Sequence, residues 1–273
     1  MTRTELISLL EDIGVPDPRA EAKMLICELF DISPAAMLAE PMRDYESSRL
    51  EAALERRRQD EPVQYIIGKA YFCTETYFLN DACLIPRADT ELLCETAAKM
   101  LPENARFADL FCGSGCVGIS LCKLRPDAVG IGVDISAKAL EMAKKNAEYN
   151  GADGQISFVC GDVTKSPLGK EKFALITANP PYITAEEMKA LSLEVLREPH
   201  LALYGGEDGL DLFSAMLEKC GDNLADGGLI LCEIGYSQGE SATLAANRLG
   251  FDCEIIPDIS GNARVALLRK RIN

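Results

Sequence analysis

From Asp89 onward the chain alternates short apolar, β-branched runs with segments of helical length, and no other feature limits its fold so strongly. Parallel strands need a crossover of about a dozen residues or more, so this rhythm specifies an open, mostly parallel sheet with helices on both faces. The runs place strands at 106–110, 128–133, 156–160, 173–178 and 228–234. A last pair, 251–256 and 264–269, is joined by a link too short for a right-handed crossover, which predicts an antiparallel pair at the sheet edge. The fold class is α/β and Rossmann-like.

Upstream the period changes. Leu6, Leu9, Leu10 and Ile13 recur at helical spacing and stop at Gly14. Asp17-Pro18 opens a second helix with Ala22, Leu25, Ile26 and Leu29 on its apolar face, Ser33-Pro34 a third, and Leu50, Ala53 and Leu54 mark a fourth. Residues 1–62 therefore read as a small helical bundle. The aromatic and β-branched residues Tyr65-Ile66-Ile67, Tyr71-Phe72 and Tyr77-Phe78-Leu79, followed by Asn80-Asp81, predict a linking β-hairpin within 63–88, and 89–273 is the sheet domain.

Several function classes drop out on composition. There are 28 basic against 43 acidic residues in 273, a formal charge of −15, so the surface as a whole repels phosphate and direct nucleic-acid binding is not expected. The one dense basic run, Arg56-Arg57-Arg58, reads as a solvated helix end. No run of apolar residues is long enough to span a membrane, and Met1-Thr2-Arg3-Thr4-Glu5 is unlike a signal peptide, which predicts a cytoplasmic protein. Eleven cysteines, an odd number, fit free thiols in a reducing compartment. The spacings of Cys112, Cys116 and Cys122 match neither zinc knuckles nor common iron–sulfur patterns, so no metal is expected.

The chemistry starts directly after the first sheet strand, at Asp109-Leu110-Phe111-Cys112-Gly113-Ser114-Gly115. Glycines there let the backbone approach a ligand and turn sharply into a helix whose free N–H groups face the site. Gly113, Gly115 and Gly118 also spell a dinucleotide-type glycine pattern, and Asp134, at the end of the second strand, is placed to hold ribose hydroxyls. On this pattern alone a nicotinamide cofactor and S-adenosylmethionine are equivalent, and Asp134 is equally a helix cap before Ile135-Ser136-Ala137-Lys138. Asp162 ends the third strand, where a carboxylate can accept the exocyclic amine of adenine while Val163 packs on the ring; an Asx turn is the competing reading. Asn179-Pro180-Pro181-Tyr182 ends the fourth. Two prolines stiffen it and remove two donors, leaving the Asn179 and Pro180 carbonyls to hold both protons of an amino group and the Tyr182 ring to face a planar amide or base. A proline turn that only ends a strand is the alternative. Asp109, Gly113, Asp134, Asp162 and Asn179 all fall at carboxyl ends of successive strands, where open α/β sheets bind ligands. His200, the single histidine, reads as a loop or helix residue rather than a base.

With these motifs in place the chain resembles the bacterial release factor glutamine methyltransferases, the HemK or PrmC type, over nearly its whole length. The resemblance is carried by Glu61-Pro62-Val63-Gln64-Tyr65-Ile66-Ile67-Gly68, Leu84-Ile85-Pro86-Arg87-Ala88-Asp89-Thr90-Glu91, Glu198-Pro199, Leu203-Tyr204-Gly205-Gly206-Glu207-Asp208-Gly209-Leu210-Asp211, Glu233-Ile234-Gly235-Tyr236-Ser237-Gln238-Gly239 and Asp258-Ile259-Ser260-Gly261-Asn262. It implies a class I methyltransferase sheet behind a helical substrate-docking domain and a linking hairpin. The implied activity is methylation, from S-adenosylmethionine, of the side-chain amide nitrogen of the glutamine in the Gly-Gly-Gln motif of peptide chain release factors, with S-adenosylhomocysteine as product. The implied cofactor residues are Asp109, Phe111, Cys112, Gly113, Ser114, Gly115, Asp134, Asp162, Val163 and Asn179; the implied catalytic ones are Asn179, Pro180, Pro181 and Tyr182, acting in a monomer. Two departures from the family concern three residues: Ala88 stands for a usual proline, and Phe111-Cys112 for a glycine and a threonine, where a non-glycine is expected to avoid positive φ.

Overall fold

The computed structural model describes residues 1–271. Two compact units are formed, one by Met1–Lys69 with Ser192–Arg197, the other by Ala70–Leu191 and the chain from Glu198.

The first unit holds the helices Arg3–Asp12, Pro18–Phe30, Pro34–Ala39, Ser48–Arg57 and Val63–Ile67. Short polar residues start them. Thr2 and Glu5 close a capping box, Asp17 and Ser33 cap helices that begin with proline, and Ser47 accepts from the Leu50 N–H. The apolar faces read from the sequence meet in one core around Leu6, Leu10, Leu25, Ile26, Leu50 and Leu54. Two expectations fail here. Tyr65-Ile66-Ile67 is helical rather than part of the hairpin, because Val63 joins the bundle core and Ile66 and Ile67 pack on it, and burial on a helical scaffold overrides β-propensity. Arg57 is not solvated. It is 5% exposed, donates to both Glu21 carboxylate oxygens at 2.8 and 3.1 Å, and reaches Glu194 at 2.8 Å. A planar guanidinium can serve two carboxylates at once, and only burial distinguishes it from its neighbours Arg56 and Arg58.

The hairpin comprises β1 (Lys69–Phe72) and β2 (Glu75–Phe78). Asn146 and Asn150, one turn apart on the helix Ala137–Asn150, hold it by its backbone. Asn146 accepts from the Phe78 N–H at 2.7 Å and donates to the carbonyls of Phe78 and Ser114 at 3.0 and 2.9 Å, while Asn150 donates to the Thr76 carbonyl at 3.0 Å.

The main sheet contains β3 (Arg106–Leu110), β4 (Val129–Asp134), β5 (Ile156–Cys160), β6 (Phe173–Ala178), β7 (Leu224–Glu233), β8 (Phe251–Pro257) and β9 (Ala263–Lys270), in the order β5-β4-β3-β6-β7-β9-β8. β3 to β7 are parallel; β9 runs antiparallel to β7, and β8 forms the edge. One face packs on the helices Asp211–Cys220 and Gly239–Arg248 through Phe213, Met216, Ala242 and Ala246. The other packs on Ala88–Met100, Cys116–Leu124 and Ala137–Asn150 through Leu93, Ala97, Ile119 and Ala147. The chain leaves β3 toward β4 and β5, then returns past it to β6. That reversal opens a crevice between the carboxyl ends of β3 and β6, the position where open α/β sheets bind ligands. Among the described residues no helix is long and apolar enough to cross a membrane, and no group of three or more His, Cys, Asp or Glu could hold a metal.

Candidate active site

A cavity of about 340 Å³ lies over this crevice, and a recess of about 40 Å³ shares Leu84, Phe111, Gly113 and Asn179 with its lining. The larger space is within the range of about 300 to 1,000 Å³ typical of small-molecule sites. Phe111, Gly113, Asp134, Asp162, Val163, Asn179 and Pro181 line it, and Asp109, Cys112 and Ser114 line the recess with Phe111, Gly113 and Asn179. Gly115, Pro180 and Tyr182 are not among the residues that line either space.

The turn after β3 is left-handed at Phe111 (φ 57°), Gly113 (φ 52°) and Gly115 (φ 80°). The expectation that Phe111 avoids positive φ is thus overturned. A non-glycine in this region costs about 1 to 2 kcal/mol, and the Phe111 ring, packed on the core under β3 and β6, offsets it by burial. Gly115 caps the helix Cys116–Leu124 in the conformation glycine adopts without penalty. Cys112 is buried, and burial holds its thiol well above its ordinary pKa, so it is a small apolar wall rather than a nucleophile.

The carboxylates have different duties. Asp134 accepts from the Gly113 N–H on Oδ2 and from the Ser136 N–H on Oδ1, both at 2.8 Å, and lines the cavity with acceptor capacity left on each oxygen. The cap of the following helix is Ser136, which accepts from the Ala139 N–H, so the helix-cap reading of Asp134 is set aside. Burial raises the Asp134 carboxyl, and the backbone N–H groups of Ser136, Gly113 and Ile135 offset that rise only in part. Asp162 forms the Asx turn: Oδ1 accepts from the Thr164 N–H and hydroxyl at 2.9 and 2.6 Å, and Oδ2 pairs with Lys165 at 3.0 Å. The Thr164 hydroxyl, then Lys165, hold its pKa low. Its lysine partner is exposed and weakly held, so the turn does not exclude a ligand at this carboxylate.

Asp109 faces inward. Pairing opposite Thr177 in the register of β3 and β6, it accepts from the Thr177 hydroxyl at 2.8 Å and from the Gly118 N–H at 3.0 Å. Burial pushes its carboxyl up to about 7. Because the folded pKa lies above the unfolded one, the folded state holds the proton more tightly, and stability from this group falls as pH rises from about 4 to about 7. Asparagine fits the same site, with its carbonyl toward Gly118 and its amide toward Thr177. We expect Asp109→Asn to raise the thermal midpoint relative to the parent at about pH 8 and to lose that advantage toward about pH 5. Scanning fluorimetry across this range checks it, and a gap that widens on acidification contradicts it.

Asn179 sits at the end of β6 with its amide fixed: Nδ2 donates to the Thr90 hydroxyl at 3.3 Å, leaving the carbonyl free as an acceptor. Tyr182 donates its hydroxyl to Glu233 Oε1 at 3.2 Å, and burial raises its pKa. The motif is braced by 203–209, one of the segments that carry the resemblance. Ile183 N donates to the Leu203 carbonyl and Gly205 N to the Ile183 carbonyl, at 3.0 and 2.9 Å. Gly209 passes against the Tyr182 carbonyl, which also accepts from Gln238 Nε2 at 3.1 Å. His200 is exposed, and its ring lies tilted at 41° to that of Tyr204 with centroids 5.4 Å apart. Thr90 and Glu233 join the site; both lie in segments that carry the resemblance, but the sequence assigns neither a role. Glu233 satisfies the same strand-end rule that picks Asp134 and Asn179, since it ends β7; Thr90 lies in the first turn of a helix, and nothing local marks it.

A sheet of this order with a ligand crevice at its switch point, ending in an antiparallel pair, defines a Rossmann-like class I methyltransferase. The model of the methyltransferase small domain matches residues 88–206, and that of the PrmC N-terminal domain matches 2–68. Curated relatives named release factor glutamine methyltransferase include those of Neisseria gonorrhoeae (38% identical, covering 92% of this chain and 93% of the relative), Geobacter sulfurreducens (34%, 94% and 91%) and Moorella thermoacetica (34%, 98% and 96%). The chain belongs to the release factor glutamine methyltransferase family. The nicotinamide reading of its glycine spacing is thereby discarded.

Proposed function

We propose that the chain transfers a methyl group from S-adenosylmethionine to the side-chain amide nitrogen, N5, of the glutamine in the Gly-Gly-Gln motif of peptide chain release factors, and so modulates translation termination. The observation that carries this reading is the Asn179 amide, which lines the cavity and donates to Thr90, while its carbonyl makes no hydrogen bond among the described residues.

The cavity fits the methyl donor. Asp134 has acceptors for two ribose hydroxyls, Asp162 lies where an adenine amine would donate, Ile135 and Val163 supply apolar surface, and the turn 111–113 admits close backbone approach. S-adenosylmethionine supplies an electrophilic methyl group on a sulfonium. The remaining work belongs to the chain. A primary amide is a poor nucleophile because its lone pair is delocalised. Asn179 Oδ1 and the Pro180 carbonyl accept its two N–H groups, so the amide is oriented and positive charge developing on nitrogen meets acceptor dipoles. Pro181 stiffens this rim and Tyr182, tied through its hydroxyl, gives the amide a flat surface. No strong base lies in this set, and the proton passes to water after transfer. A Gly-Gly-Gln tripeptide offers little area, so selection of one glutamine draws on a further docking surface, which we assign to the helical residues 1–62.

Asp134→Ala is expected to weaken S-adenosylmethionine binding by about 1 to 3 kcal/mol through lost charge-assisted hydrogen bonds. Calorimetry reads this directly, and an unchanged dissociation constant would remove Asp134 from the cofactor site. The substrate assignment is tested with radiolabelled methyl donor and a purified release factor. Label should enter the intact factor and be absent when the Gly-Gly-Gln glutamine is replaced by alanine; equal labelling of both proteins would reject it.

A further inference from the structure

Behind Asn179-Pro180-Pro181-Tyr182 lies a carboxylate to which the reaction as described gives no part. Glu233 ends β7, is 1% exposed, and holds the Tyr182 hydroxyl on Oε1 at 3.2 Å. Its other oxygen, Oε2, is buried without a hydrogen-bond partner. Burial raises the Glu233 carboxyl, and the Thr90 hydroxyl, the Arg264 charge and the Tyr182 hydroxyl work against that rise. Arg264 is itself buried and ion-paired to Asp89 at 3.1 Å and Asp258 at 3.6 Å. Thr90 is 2% exposed and accepts the Asn179 amide proton at 3.3 Å. Glu233 therefore holds Tyr182 directly, and its unpaired oxygen belongs to the same buried cluster as the Thr90 hydroxyl that receives the Asn179 amide proton.

The direction of these bonds matters. A carboxamide is nearly the same shape either way round, so nothing in the Asn179 side chain decides whether oxygen or nitrogen enters the cavity. A threonine hydroxyl between two partners passes its polarity on: if its proton goes to one side, only its oxygen is offered to the other. An ionised carboxylate accepts and never donates. With Oε2 unpaired, Glu233 has an acceptor ready for the Thr90 proton, and Thr90 must then receive the Asn179 N–H.

We infer that Glu233 is a positioning residue which, through Thr90, fixes the Asn179 amide with its carbonyl toward the substrate and, through the Tyr182 hydroxyl, sets the ring at the other end of the motif. This rests on the proposed role of Asn179 as the acceptor of the substrate amide. Glutamine at 233 has the same shape but can donate. Its NH2 would satisfy the Thr90 oxygen, free the Thr90 proton for Asn179 Oδ1, and turn the Asn179 NH2 toward the substrate, donor against donor.

The test is Glu233→Gln in the full chain, with Thr90→Val as a second variant that removes the hydroxyl without touching the carboxylate. Both are first compared with the parent by circular dichroism and by calorimetry of S-adenosylmethionine binding. Glu233→Gln should leave cofactor affinity within about twofold and lower kcat on release factor by about ten- to a hundredfold, the worth of one or two hydrogen bonds to a charged group. Thr90→Val should also lower kcat, and in the double variant the loss should be clearly smaller than the product of the two, because both act on one amide. A kcat within twofold of the parent in Glu233→Gln, a loss confined to KM or cofactor affinity, or losses that multiply independently would each overturn the inference. If Glu233→Gln does not fold, Thr90→Val decides alone: unchanged kcat refutes the relay. Asn179→Ala run in parallel separates the two levels, since normal turnover by that variant removes the underlying reading whatever Glu233 does.

Discussion

Asn179→Ala is expected to lower kcat for release factor methylation by about a thousandfold or more, with the thermal midpoint and cofactor affinity little changed. Orientation of two reactants can account for as much as about 7 to 11 kcal/mol of a barrier, and loss of a single preorganised polar partner for about 3 to 4. In the proposed reaction Asn179 combines both, its carbonyl orienting the substrate amide and facing the charge that would develop on nitrogen. Its side chain is half-buried at a strand end and contributes one 3.3 Å bond to Thr90, so little core volume is lost. Single-turnover kinetics with intact release factor separates this from a binding defect. A variant that turns over like the parent would strip the residue of its role.

The second large effect is expected at Gly209, far from the reacting atoms in sequence. It adopts φ 73°, and a Cβ there would lie 2.2 Å from the Tyr182 carbonyl oxygen and 2.4 Å from Gln238 Nε2. Gly209→Ala therefore carries the left-handed penalty of about 1 to 2 kcal/mol and an overpacking cost of about 1 to 3 kcal/mol, and it displaces the carbonyl that seats the catalytic motif. Activity should fall with stability. Gly151 gives the control: it has φ 68° at a helix end with nothing within 4 Å of an added Cβ, so Gly151→Ala bears the backbone penalty alone. Denaturant melts of the two variants isolate the clash. Equal destabilisation, with Gly209→Ala fully active, would show that the 203–209 segment does not hold the motif in place.

What is legible in the sequence follows from how local each signal is. Strand ends are marked by periodicity and by the residues just past them, which is why Gly113, Asp134, Asp162 and Asn179 stand out as crevice residues from their positions in the chain alone, and why the antiparallel end of the sheet follows from the length of one link. Arg57 escapes such a reading because burial of a charge depends on partners at 21 and 194, far along the chain. Tyr65-Ile66-Ile67 escapes it because β-propensity measures packing context more than backbone preference. Phe111 shows the same limit: its left-handed backbone is tolerated through a ring contact with the core that no local pattern announces. The Thr90–Asn179 bond joins residues 89 apart, and the fixed direction of that amide is a tertiary property throughout.

The central claim is that this crevice methylates one amide nitrogen in a release factor. The direct measurement is fragment-ion mass spectrometry of purified release factor after incubation with the enzyme and S-adenosylmethionine. The account predicts the added mass of one methyl group on the glutamine of the Gly-Gly-Gln motif, at its side-chain nitrogen, and its absence with Asn179→Ala enzyme. No added mass, or a methyl group on a different residue of the factor, would contradict it.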